Sequence, residues 1–431
     1  ATTLSTTAAN ISIGQTGNDL SSIAANTTTS GDVTIGGSGG IALGASSVAG
    51  DLSVTATTGS VTDSGVVSVG GTTGVTVATT EDVILDSANT FTGAMTLTAG
   101  GGGGGTAFGD VTIKNSTAVK WDTNADEAGD LYLNAGTDGA VGGDLSIISG
   151  GAITQGIQLG VTGSASFKTL NNTPAGITLS NASNTFGAIT AQARNAADGA
   201  DVAGSITISE GAAMAIADIS TTGTLSLTTT GALTQSGAID AGAVTVSASG
   251  QDVTLTNTSN AMTSVNITGA NIDVTDSNGI DIAAISSATT LDVIAGDAIT
   301  DSGTITVSGA ATFKTKKDAA AAITLNNANV HTFGSVKAET RNADDDATVA
   351  GAITIDENAA MDIAGLTTAS TVSLTADGAI TDSGAIAAGA ITIDTTGGGS
   401  TAARAVTIAG QTTNATSWDV STTDGAIAID E

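Results

Sequence analysis

A chain of 431 residues with 41 acidic and only 10 basic side chains, a formal net charge of −31, is repelled by nucleic acid and by anionic membrane surfaces alike. With no cysteine it forms no disulfide, carries no thiol redox chemistry and offers no thiolate to a metal. Such acidity in a hydrophilic chain would indicate disorder, but the mean hydropathy is positive and the apolar residues alternate with Thr and Ser, so the chain is expected to fold.

Residues 1–30 form an amino-terminal segment in which Ala9-Asn-Ile-Ser-Ile13 reads as a joining or capping strand. The opening Ala1–Thr6 lacks the charged and apolar regions of a secretory leader, so the chain reads as a mature or excised segment. Residues 31–152 make a first section built on a turn-plus-strand phrase, Gly-Asp-aliphatic-x-aliphatic, beginning at Gly31, Gly50, Gly109, Gly129 and Gly143. Within this section the glycine run Gly100–Gly105 predicts an irregular loop between strands, a place for an insertion facing a partner.

Residues 153–298 and 299–431 are two copies of one unit. Gly163–Thr169, with Phe167, returns as Gly309–Thr315, with Phe313, an offset of 313 − 167 = 146. Thr185-Phe186-Gly187 and Arg194 return as Thr332-Phe333-Gly334 and Arg341, offset by 333 − 186 = 147. A shorter phrase of the type Ile-Thr-Asp-Ser-Gly starts at Val61, Ile153, Leu233, Ile299 and Ile380, so each long unit holds two smaller ones. No run approaches the length of a membrane span.

Short strands alternating aliphatic with Thr or Ser, punctuated by Gly and Asp, point to an all-β chain that grows by stacking. Two architectures accommodate this: a parallel β-helix (β-solenoid) of duplicated units of about 146 residues, and a string of β-sandwich domains. An aromatic share of 2% is too low for sandwich cores and suits a narrow column of Val, Ile, Leu and Ala with no room for large rings, Trp121 and Trp418 filling corners. The single proline, Pro174, leaves nearly every backbone N–H free for a ladder. With about 20 residues per coil and ~4.8 Å per layer, the β-helix predicts a rod on the order of 100 Å long.

The residues that carry chemistry are few. Three acidic loops gather side-chain oxygens: Asn124 with Asp126, Glu127 and Asp130; Asn195 with Asp198 and Asp201; and Asn342 with Asp344, Asp345 and Asp346. Clustered oxygens are what calcium requires, and calcium at these loops would stiffen successive repeats; the alternative is a solvated turn bulging off the solenoid. No other cofactor is expected. His331, the only histidine, stands where the first copy has Asn184 and is read as a turn or surface site, while Arg194 and Arg341 are read as charge partners of the loops they precede. Nothing assembles into catalytic machinery, so no enzymatic activity is expected. Thr-x-Thr phrases such as Thr96–Thr98 are too irregular for an ice-binding face, and the Asn-x-Ser/Thr sequons, Asn10 and Asn266 among them, are as frequent as this composition makes them.

The phrases Ser87–Leu97 and Ser183–Thr190, with the Ile-Thr-Asp-Ser-Gly phrases, resemble the repeats of large bacterial surface proteins of the filamentous-haemagglutinin-like β-helix type over roughly residues 31–431. The resemblance implies an extracellular or bacterial cell-surface location. The expected function is an extracellular structural protein that self-assembles into a surface filament or layer, through contacts with copies of itself or the continuation of a longer chain. The alternative is an adhesin stalk that binds host or neighbour-cell glycans.

Overall fold

The computed structural model describes residues 2–100, 107–122, 126–135, 139–327, 331–396, 404–409 and 413–430. The chain is an all-β parallel solenoid of about 19 turns, with no helix among the described residues. It divides into two compact units, Ala1–Thr229 and Thr230–Glu431. The β-sandwich alternative falls, because the described strand pairings are parallel and each joins one coil to the next, whereas sandwich sheets are antiparallel.

One turn of the first unit shows how the sequence makes a coil. Strands Val33–Gly37, Ile41–Leu43 and Ser46–Val48 are separated by short turns, and Leu52–Ala56 then returns on top of Val33–Gly37 with Val33 opposite Leu52 and Ile35 opposite Val54. Alternate residues point inward and are buried, and the intervening Thr and Ser face solvent. Aliphatic side chains therefore stack in columns. Ile41, Val61, Val83, Val111 and Leu145 follow one another in register in the first unit, and Ile280, Ile299, Ile323, Ile353 and Val372 do so in the second. Each such side chain, at 0–2% exposure, removes enough apolar surface from water to contribute about 1.5–3 kcal/mol.

The core is less hostile to rings than composition suggests. Phe91, Phe108, Phe167, Phe313 and Trp121 are among the largest fully buried side chains. Phe167 packs edge-on against Phe186 at 6.0 Å and Phe313 against Phe333 at 5.9 Å, so rings of adjacent coils fill the column together. Trp121 occupies the interior as expected, whereas Trp418, opposite Ile391 in the strand Ser417–Ser421, is partly exposed.

The Gly-Asp phrase is a clamp between coils. The Asp32 carboxylate accepts the N–H of Asp51 at 3.0 Å, Asp51 accepts from Thr72 at 2.7 Å, Asp82 from Asp110 at 2.8 Å, Asp110 from Asp144 at 2.8 Å and Asp144 from Ser164 at 2.7 Å. The acceptor oxygen lies over the preceding residue of the upper coil. A Cβ on Gly50, Gly71, Gly109, Gly143 or Gly163 would come under 3.0 Å from it, so glycine is required there by the residue one coil below. Gly129-Asp130 breaks the series: Asp130 turns inside its own loop and accepts the N–H of Glu127 at 2.8 Å.

Candidate functional site

The coils are pinned by a buried polar corner that recurs along the chain. In the first unit Asn184, with 0% exposure, accepts the Leu159 N–H at 2.8 Å and donates from Nδ2 to Gln155 Oε1 at 3.1 Å, to Leu179 O at 3.3 Å and to Ser209 O at 3.1 Å. Asn89 does the same with the Val67 N–H at 2.8 Å and Asp63 Oδ2 at 2.6 Å. In the second unit Asn260 accepts the Ile239 N–H at 2.9 Å and donates to Gln235 Oε1 at 3.2 Å. The partners Asp63, Gln155 and Gln235 are the third residues of the Ile-Thr-Asp/Gln phrases, so that phrase reaches up to hold the turn of the next coil.

His331 belongs to this series. It is 1% exposed, which corrects its reading as a turn or surface site: it is buried immediately before the strand Thr332–Arg341. Its Nδ1 accepts the Ile305 N–H at 3.1 Å, and Nε2 lies 3.0 Å from Asp301 Oδ2. The imidazole thus takes the backbone N–H that an asparagine amide oxygen takes, and sets Nε2 beside the Asp301 carboxylate without hydrogen-bond alignment, so the acceptor role is what the exchange preserves.

A second buried group follows one coil on. Asn115 accepts the Phe91 N–H at 3.0 Å and donates to the Phe91 carbonyl at 3.2 Å. Glu210 takes the Phe186 N–H at 2.7 Å, Asp276 the Met262 N–H at 2.6 Å and Glu357 the Phe333 N–H at 2.9 Å. Glu210 and Glu357 are 2% and 1% exposed, and Oε2 of each has no hydrogen-bond partner. Burial, opposed only by the donated N–H, pushes both carboxyls up to about 7. Burial also raises Asp276, whose second oxygen accepts the Asn278 N–H at 2.8 Å.

The three acidic loops are each built around basic side chains. Arg194 closes its loop by an antiparallel bridge to Asp201; its Nε donates to Asp198 Oδ1 at 3.2 Å and its Nη1 to Asp201 Oδ1 at 2.6 Å, while Lys168 from the coil below reaches Asp198 Oδ2 at 3.0 Å. Asp198 sits at the left-handed φ of 55°. The second copy reproduces this: Arg341 binds Asp345 at 3.1 Å, Lys314 binds Asp345 at 3.0 Å, Asp345 has φ 61°, and Thr348 replaces Asp201 as the partner of Nη1 at 3.2 Å. Partial burial works against ionisation at Asp198 and Asp345, yet the neighbouring lysine and arginine hold both carboxyls below the usual range. Asp346 accepts from Asn342 Nδ2 at 2.7 Å, and Asp344 is exposed. In the first section Lys120 gathers Asp122 at 2.6 Å, Asp130 at 3.4 Å and Glu127 at 3.5 Å; Asp122 first, and then Asp130, raise its pKa, while Asp126 is exposed. Asn124, and Gly101–Gly105 of the glycine run, lie outside the described residues. Arg194 and Arg341 are thus the charge partners the sequence suggests. Ammonium and guanidinium groups take up carboxylate oxygens that a calcium ion would need, and among the described residues no group of three or more His, Cys, Asp or Glu converges in a way that could hold a metal.

Parallel coils with one buried polar corner per repeat define a β-solenoid repeat protein. The chain belongs to the DUF5649 family, described as repeats of unknown function, which it matches at residues 30–98, 109–193, 203–268 and 269–338. Each matched segment contains one corner: Asn89, Asn184, Asn260 and His331 in turn. No curated protein and no solved structure matches the chain.

Proposed function

We propose that this is an extracellular structural protein of the bacterial surface, akin to the filamentous-haemagglutinin-like proteins its repeats resemble, that forms filaments or layers by adding coil to coil. The observation that carries the reading is the state of the outermost strands. Among the described residues Thr2–Thr6 pairs with Ser22–Thr27 and Ile11–Ile13 with Val33–Gly37, each along one edge, and Ser417–Ser421 and Ile427–Ile429 likewise have a neighbour on one side. Ile427 is 50% exposed there. An open parallel edge with a bare aliphatic side chain accepts another coil, from a second copy or from further chain.

The test is electron microscopy with sedimentation of the purified chain across a concentration series, beside the variant Ile427→Pro, which removes a donor on the open side of Ile427–Ile429, the N–H of Asp430 and the carbonyl of Ala426 being those that face the preceding coil. End-to-end assemblies that shorten in the variant support the reading. A monomer at every concentration, or assemblies indifferent to the proline, overturns it. Protease treatment of intact cells tests the location, since an extracellular protein is cleaved without lysis.

A further inference from the structure

Of the ten lysines and arginines, nine have a carboxylate oxygen within 4.0 Å, among the described residues, and Lys114 has none. In a chain with 41 acidic side chains an unpaired cation is conspicuous, and this one lines a cleft of about 280 Å³ within the first unit. The floor is aliphatic: Ile148 and Leu170 occupy outward strand positions that elsewhere carry Thr or Ser, and both are partly exposed. Lys114 is in register with Ile148, and Ile148 with Lys168, which is already held by Asp198. Asn172, an exposed residue that also lines the cleft, spends its Oδ1 on the Ala196 N–H at 3.1 Å, and among the described residues no acceptor takes its Nδ2 donors.

The duplicated unit contains its own control. Ile294 stands in register with Lys314 as Ile148 does with Lys168, but the place of Lys114 is taken by Thr275. Leu170 is replaced by Lys316, and Asn172 by Asp318, which accepts the Ala343 N–H at 3.1 Å as Asn172 accepts that of Ala196. The backbone arrangement and Ile294 are kept, while the cation at the place of Lys114, the Leu170 half of the apolar floor and the neutral amide are lost.

We infer that the Lys114 cleft is a binding site for a sugar residue bearing a single carboxylate. Lys114 supplies the charge partner, Asn172 the hydrogen-bond donor, and Ile148 with Leu170 the apolar surface on which the C–H face of the ring lies. The cleft volume, at the small end for ligand sites, fits one ring. The net charge of −31 opposes a polyanion, which restricts the ligand to one charge. This site is independent of the assembly proposed above.

Ligand-observed NMR and calorimetry on the whole chain test it, with galacturonate, galactose and a neutral oligosaccharide capped by one uronate as probes. Galacturonate is expected to bind saturably, at least about tenfold more tightly than galactose, and to weaken as salt is raised. Lys114→Gln and Asn172→Asp should each lose about tenfold or more, while Lys316→Gln in the second copy leaves binding unchanged. The tighter of galacturonate and the capped oligosaccharide identifies a free acid or a glycan terminus as the source. Equal binding of galactose, indifference to Lys114→Gln, or no saturable binding of either acidic probe overturns the inference.

Discussion

The corner at Asn184 and the corner at His331 do the same work with different chemistry. In both, a ring or amide acceptor takes a backbone N–H, from Leu159 in one and Ile305 in the other, and a donor faces a partner from the preceding coil, Gln155 or Asp301. They differ in redundancy: Asn184 also donates to the carbonyls of Leu179 and Ser209, which a single imidazole N–H cannot do. The fold demands an acceptor for a backbone N–H at this place and not a residue type. The sharpest break of that comparison is Asn184→Ala, which strands one amide and two carbonyls in the interior and is expected to cost about 3–5 kcal/mol in denaturant unfolding. His331→Asn combined with Asp301→Gln rebuilds the amide corner and should cost less than about 1 kcal/mol. If the double variant is as damaging as Asn184→Ala, the two corners are not equivalent.

The carboxyl groups above these corners separate the copies from Asn115. An amide can both accept and donate, and Asn115 does so toward Phe91; a carboxylate at Glu210 or Glu357 can only accept, so each glutamate matches the amide when protonated. The folded-state value near 7 stands above the ordinary 4.5, so the folded chain binds the proton more tightly. This contribution to stability is full below about pH 4.5 and is lost as pH rises through about 7, of order 3 kcal/mol per site. For both glutamates the causes are the same, burial opposed by one backbone N–H, with no charged neighbour contributing. Unfolding of Glu210→Gln against the parent isolates the effect: about equal at pH 4, with the variant more stable at pH 8. Parallel pH profiles would refute a protonated Glu210.

How far the sequence foretells these features depends on the distance between the groups involved. Strand position follows from neighbours two residues apart, so the alternating phrases disclose the coils directly. Gly-Asp is visible as a phrase, but its reason is not: Asp110 lies over Gly143, 33 residues ahead, and only the coil register brings them together. The acidic loops mislead in the same way, since Asp198 and Asp345 stand near other acids in sequence while Lys168 and Lys314 arrive from the coil below. His331 misleads because polar side chains are usually exposed, and only its alignment with Asn184 hints at a shared environment. Glu210 and Glu357 carry one legible signal, their spacing of 357 − 210 = 147, which is that of the duplication.

Two glycines of the first unit sharpen the clamp argument. A Cβ on Gly143 collides with the Asp110 carboxylate and with the Gly109 backbone, so Gly143→Ala is expected to destabilise by about 1–3 kcal/mol. Gly74, in the strand Thr73–Val77, meets only Leu52 O at 4.0 Å, and Gly74→Ala should be neutral or stabilising by up to about 1 kcal/mol. Placing Asp110→Ala behind Gly143→Ala should recover part of the loss, the remainder belonging to the 2.8 Å approach of the Gly109 carbonyl carbon. No recovery would mean that the backbone alone demands the glycine.

The smallest effects belong to the two arginine loops, and they test whether the charges stabilise or merely decorate. Both bridges are partly exposed, so Arg194→Gln and Arg341→Gln should each cost no more than about 1 kcal/mol. The order between them is fixed by one residue. Arg194 serves two carboxylates, Asp198 and Asp201, whereas Arg341 serves Asp345 and the neutral Thr348, so removing Arg194 leaves an additional uncompensated charge. Arg194→Gln is expected to be the more costly at low ionic strength, and the gap should close as salt screens the exposed acids or as acid neutralises Asp198 below the usual carboxylate range. Thr348→Asp, which supplies the missing carboxylate, should then make the second loop respond to arginine removal as the first does; a salt-independent difference would locate the effect in hydrogen-bond geometry and not in charge.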